Sequence, residues 1–309
     1  MLSPSLGDST PEPWLDFKMF DLSKVPPTFL DDPFPFYADL LVSPPALEQE
    51  DGSLLISKHA LIAAVYKDLE SYSADKKLSF GPKFGVNSPL FEHHTNSLVF
   101  NDPPLHTRVR KIMTGALNPR AIQLMEPSLR ETISRLLADV SEKNSKNKVI
   151  DVIEDFASKI PIQIIGDLFG IPFAERAPMR NWSLAILGAL EPVVSSEEIQ
   201  IGNKAVAEFK SYLRTLVARR RTEARDPDLD VLTRLILAED AEELSETELL
   251  QNCIFNLNAG HETTTNLIGN ALYMLWRYPD EKKILNANLD LIDNAVEEVL
   301  RMQSPNQFG

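Results

Sequence analysis

A chain of 309 residues, 43% of them hydrophobic, can bury the core of one large domain or two modest ones, which excludes disorder as its ground state. Its 45 acidic side chains against 31 basic ones leave a net charge of −14, which argues against general attraction to nucleic acid or an anionic membrane. The single cysteine, Cys253, excludes an internal disulfide framework and a multi-cysteine metal cluster and suits a reducing compartment. With neither a signal-peptide core nor an apolar run of about 18 residues, no membrane span and a cytoplasmic location are expected.

Nine of the 22 prolines fall within residues 1–45, which predicts an extended, turn-rich arm without helix. Gly52 to Ser57 reads as a short strand, followed by helical pattern to about Tyr72. Residues 73–105, with Gly, Pro, Asn and the pair His93 and His94, read as one long loop, a length usually reserved for function. From His106 onward the signals are helical. Val152, Phe156, Ile160, Ile164 and Leu168 recur as an apolar stripe in which Pro161 predicts a break, and Glu142 to Lys148 is a polar link. Helices are expected near Ser195 to Arg225 and Val231 to Glu239. A long one over 245–278 opens on a Ser245–Glu248 capping box, ends at Pro279 and spans about 50 Å at 1.5 Å per residue.

Three constellations stand out. "NLNAGHETTTNLIG", Asn256 to Gly269, puts a glycine, an acid and three threonines inside that long helix, although Gly and Thr are poor helix-interior residues. His261 and Glu262 begin like a zinc-protease motif, but Thr265 stands where the second histidine belongs, so that reading fails. Two readings remain: small residues for close helix packing, or a glycine beside a flat ligand, with Glu262 and Thr263 as a proton-relay pair. In "NDPPLHTRVRKIM", Asn101 to Met113, His106 and Arg110 share a helix face and can both donate to an anion; such a pair is also an ordinary solvated face. In "AVEEVLRMQSP", Ala295 to Pro305, Glu298 and Arg301 are i and i+3 neighbours, a surface ion pair or, among Val296, Val299, Leu300 and Met302, a buried one.

In this order the three segments resemble the cytochrome P-450 family of haem-thiolate monooxygenases, along nearly the whole chain. "AGHETT" is similar to the oxygen-activation segment of its distal helix, "HTRVR" to its haem-propionate helix, and "EEVLR" to its Glu-x-x-Arg pair; "EDFASKIPIQIIGDLFGIP" and "RYPDEKKIL" read like its soluble bacterial members. The resemblance implies a mainly α fold with a small β-sheet near the N-terminus, as the N-terminal and central part of one such domain. It implies haem b as cofactor, with Ala259 and Gly260 against its distal face, His106 and Arg110 on its propionates, and Glu262 and Thr263 as catalytic proton donors. Glu298 and Arg301, on a helix over 290–303, would brace the structure, and 73–105 would cover the pocket. The implied reaction inserts one oxygen atom of dioxygen into an apolar small molecule. A ferredoxin- or flavodoxin-like donor would supply electrons, because the chain has no Gly-x-Gly-x-x-Gly fingerprint.

One element of that pattern does not occur in the 309 residues: the cysteine loop that supplies the axial ligand of the iron. Cys253 is no substitute. It precedes Gly260 by seven residues, about 10 Å along the same helix, and reads as a small buried hydrophobe. The expectation is therefore a protein without its C-terminal portion, with no protein metal ligand and no thiolate-ligated haem of its own. The alternative reading is a truncated, inactive remnant or an interaction protein.

Overall fold

A computed structural model describes residues 25–307 except 51, 117–118, 146–148 and 224. Its contacts separate a small unit, running through Ser73 and including Glu191–Val194, from a larger one holding the remainder. No described helix is long and apolar enough to cross a membrane.

The small unit contains α1 (Pro27–Asp31), α2 (Phe34–Val42), β1 (Ala46–Glu48), β2 (Leu54–Ile56) and α3 (His59–Lys67). Helices over 27–42 correct the expectation of a helix-free arm; residues 1–24 lie outside the described part. Proline was read as a breaker, yet it is at home at a helix start, where its missing N–H has no partner to lose: Pro27 is the first residue of α1, and Pro33 and Pro35 flank the start of α2. The expected strand is β2, paired antiparallel with β1 in the register Ala46 to Ile56 and Glu48 to Leu54. Phe29, Phe36 and Leu40 form a local core, with Phe29 and Phe36 edge to face at 5.1 Å.

The larger unit runs α4 (Lys77–Phe84), α5 (Pro89–Asn96), α6 (Leu105–Ala116), α7 (Pro119–Ser145), α8 (Lys159–Leu168), α9 (Met179–Gly188), α10 (Ser196–Arg220), α11 (Val231–Asp240), α12 (Glu246–Arg277), α13 (Pro279–Ala287) and α14 (Ile292–Met302). Segment 73–105 is thus not a loop. Pro82 lies within α4, Pro89 opens α5 beneath the Ser88 cap, and Leu98–Phe100 make a 3-10 turn. Each helix has only eight residues, too few to establish a period amid Gly, Pro and Asn.

The stripe from Val152 to Leu168 breaks at Ser158, where a π turn over Ile153–Ala157 meets α8; Pro161 sits harmlessly in the first turn of α8. Strict fourth-residue spacing drifts on a 3.6-residue helix. The buried face accordingly continues through Ile162, Ile165 and Phe169, while Val152 is exposed. The polar link expected from Glu142 is helical through Ser145.

α12 is the spine of this unit. Its Ser245 cap closes with Glu248 in both directions, and Pro279 ends it by opening α13, as the sequence predicts. The core around it joins Leu249, Leu250, Ile254 and Leu257 to Phe209 and Leu213 of α10 and to Leu232 and Leu235 of α11. Beneath α10, Arg220 forms a buried ion pair with Asp230, the cap of α11, and donates to the carbonyls of Phe169 and Gly170 at 3.2 and 3.1 Å.

Candidate functional site: the open face of α12

At the middle of α12 the helix is covered on one side and open on the other. Leu257, Asn258, His261 and Thr265 are buried, whereas Ala259 is exposed and Asn256, Glu262 and Thr263 are partly so. Ala259 and Thr263 stand one turn apart on the open face, and the Thr263 hydroxyl donates to the Ala259 carbonyl at 2.8 Å. Two residues on, Thr265 repeats this bond to the His261 carbonyl at 2.9 Å on the buried side. Two such bonds loosen the helix's own ladder and explain the threonines. A methyl is all that rises from the open face at Ala259, so a flat group can approach the backbone there.

Gly260 does not share that face. A Cβ on it would lie 2.7 Å from Cδ1 of Ile165 in α8. A glycine is needed there for close packing of α12 on α8, which is the packing reading of this one residue. Turned further round, His261 is 1% exposed. Burial first, and then the nearby Arg180 charge, hold its ring down at about 4, so it is neutral at pH 7.

α6 carries His106, half-buried, and Arg110, exposed, on the face away from buried Val109 and Met113. Neither side chain makes a hydrogen bond or ion pair among the described residues, so both have donors to offer an anion. Between them Arg108 does the anchoring that was not anticipated: it bonds Glu248 Oε1 at 2.5 Å and reaches the Glu243 carbonyl. Burial pushes the Glu248 carboxyl up, but Arg108 and the Ser245 cap outweigh it and leave the group below the ordinary range. This contact fastens α6 to the first turn of α12, about 17 Å along the helix from Ala259. Nothing local marks it in the sequence, because the partners lie 140 residues apart.

Glu298 and Arg301 do pair, at 2.6 and 2.7 Å, but in the open: their side chains are 55% and 68% exposed. The buried alternative is corrected here; α14 presents Ile292, Val296 and Leu300 to solvent beside the pair. The larger cavities lie apart from Ala259 and Thr263. Clefts of about 750 Å³ between Ile153, Asn270, Trp276 and Pro305, about 570 Å³ among Arg108, Asp228 and Arg234, and about 500 Å³ among Met274, Leu285, Glu298 and Val299 are lined by neither residue. An open face encloses no volume, so cavity size does not locate this site. No cluster of His, Cys, Asp and Glu able to hold a metal occurs among the described residues, and Cys253 is fully buried.

The sequence profile of the family described as Cytochrome P450 matches residues 50–308. The chain belongs to the cytochrome P450 family. It is 30% identical to the biotin biosynthesis cytochrome P450 of Bacillus subtilis over 91% of this chain and 69% of that protein. It is 32% identical to the vitamin D(3) 25-hydroxylase of Pseudonocardia autotrophica over 90% of this chain and 66% of that one. Among solved structures, CalO2 superposes with a TM-score of 0.83 at 28% identity, covering 92% of this chain and 69% of that chain. P450BioI, in complex with an acyl carrier protein ligated to hexadec-9Z-enoic acid, gives 0.82 at 28%, covering 92% and 72%. The chain therefore spans between 66% and 72% of these P450 proteins' own lengths. The P450 fold, mainly helical with a small sheet near the N-terminus, is the one described above.

Proposed function

We propose that this P450 chain supplies the oxygen-side half of a haem monooxygenase that inserts one oxygen atom of dioxygen into an apolar small molecule. The observation that carries the reading is the open face of α12, with Ala259 and Thr263 one turn apart and Glu262 beside them. That face fits the flat haem b, and the side chains of His106 and Arg110, without partners among the described residues, fit its propionates. When bound, the haem supplies the site of oxygen reduction. Ala259 leaves room for it; Thr263 holds a hydroxyl proton at the pocket edge, and Glu262 restores that proton from solvent. Glu298 and Arg301 contribute as a stabilising pair. Segment 73–105 covers the substrate with its two helices, an apolar substrate being in keeping with the fatty acyl and vitamin D names of two relatives. Electrons come from a separate ferredoxin- or flavodoxin-like protein, and the setting is cytoplasmic.

Two results test the assignment in a haem-loaded form that carries an axial cysteine. Changing His106 and Arg110 together to Ala will lower haem retention by about tenfold or more during dialysis against a haem scavenger, because two charge-assisted donors of roughly 1.5–3 kcal/mol each are lost. Undiminished occupancy removes the propionate role. Thr263→Ala will still bind and reduce haem but divert most electrons from product to peroxide, measured as peroxide formed per reductant consumed. Unchanged coupling takes Thr263 out of the relay. The competing reading, a remnant without haem chemistry, predicts no haem retention in any form.

A further inference from the structure

The covered side of α12 carries a second polar arrangement. Among the described residues, twelve buried side-chain nitrogen and oxygen atoms lack a hydrogen-bond partner, and six of them gather in four residues: Nδ2 and Oδ1 of Asn258, both ring nitrogens of His261, Oγ of Ser183 and Nε of Arg180. Asn258 and His261 lie three residues apart on one face of α12; Arg180 and Ser183 are likewise spaced on α9, which packs against α12. His261 is close enough to Arg180 to feel its charge, and the Ser158 backbone approaches its ring. Asn258 is 3% exposed, and Ser183 and His261 are each 1% exposed. His261 and Arg180 thus meet where α9 packs on α12, with Asn258 and Ser183 three residues along their respective helices from that meeting point.

Buried polar atoms in folded proteins are paired with protein or with ordered water, since a dry orphan forfeits its whole solvation. The chemistry of the seam selects water over an ion. Asn258 and Ser183 each donate and accept, and the neutral imidazole of His261 does one with each nitrogen, whereas an anion would face the acceptors and a cation the donors. A buried water makes about three hydrogen bonds, so six atoms match about two molecules. At one end, Arg180 pairs with the half-exposed Glu154, which marks a way out.

We propose that this seam is a binding site for about two internal water molecules, held by Asn258, His261 and Ser183 between α9 and α12, with the Arg180–Glu154 pair as its outlet to solvent. The site is distinct from the oxygen-handling role proposed for Glu262 and Thr263: Thr263 leaves the helix on the open face, and although Glu262 lies one turn from Asn258, the water readout below does not depend on proton delivery, so either proposal can fail alone. The test uses the whole chain without cofactor. In the wild type, the carbon-bound ring protons of His261 and the side-chain amide of Asn258 will show water-selective nuclear Overhauser peaks, and oxygen-17 relaxation dispersion will count long-lived waters. His261→Leu combined with Asn258→Leu will reduce that count by about two at unchanged helix content. Absence of water peaks at both residues in the wild type overturns the proposal, and so does an unchanged count in the folded variant. Should the variant not fold, the wild-type peaks decide alone.

Discussion

Loaded with haemin and reduced under carbon monoxide, the 309-residue chain will not show the red-shifted Soret band of thiolate-ligated haem. The reason is chemical. Cys253 is the only thiol in the sequence, and it is fully buried in the core beside Ile254 and Leu250. Burial, and then the Asp230 charge, push its ionisation above the usual thiol range, so the thiolate that would bind iron is not formed at neutral pH. Supplied with surrogate electron donors, the chain will likewise hydroxylate nothing, a loss of essentially all activity relative to a form bearing an axial cysteine. A thiolate-type spectrum abolished by Cys253→Ser would overturn the argument, since it would require the covered side of α12 to open onto the haem.

Asp230→Ala will lower stability by about 3–5 kcal/mol in denaturant unfolding, because removing one partner of a buried ion pair leaves Arg220 with only its longer, 3.5 Å contact to Glu223. Both side chains are nearly inaccessible, at 2% for Arg220 and 8% for Asp230. Arg220 also holds the carbonyls of Phe169 and Gly170, so the loss spreads from α10 to the end of α8. The carboxylate has a second duty: its Oδ1 accepts from the Thr233 amide at 2.7 Å and caps α11. Asp230→Asn keeps a capping oxygen while losing the charge, and will therefore fall short of the alanine variant by about 1 kcal/mol. Equal stability of Asp230→Ala and the parent would show that the pair contributes nothing.

Local chemistry was legible and distant chemistry was not. The ends of α12 follow from Ser245, Glu248 and Pro279, each acting within one turn of its own position. The small sheet was half legible, since β2 is a short apolar run, Leu54 to Ile56, bounded by Gly52 and serines, whereas its partner Ala46–Glu48 carries no such signal. Prolines at 27, 35 and 89 were read as breakers because sequence alone does not distinguish a proline that stops a helix from one that starts it. At the site, the bond from the Thr263 hydroxyl to the Ala259 carbonyl is again a one-turn contact. The packing partner of Gly260 was hidden because it is Ile165, almost a hundred residues earlier, and no pattern within α12 announces that neighbour. Exposure of the Glu298–Arg301 pair was equally hidden: the flanking Val296 and Leu300 suggested burial, but α14 turns them to solvent.

Glu248 closes the cap of α12 and also receives Arg108, so one carboxylate belongs to two helices at once. That has a bearing on how such proteins can be recombined. A chimera with its crossover anywhere between α6 and α12 takes the guanidinium from one parent and the carboxylate from the other. The helix bearing His106 and Arg110 then keeps its core packing through Val109 and Met113 but loses this fastening unless both parents share the contact. The transplantable block is a pair of segments 140 residues apart, and a grafted α6 should travel with the first turn of α12.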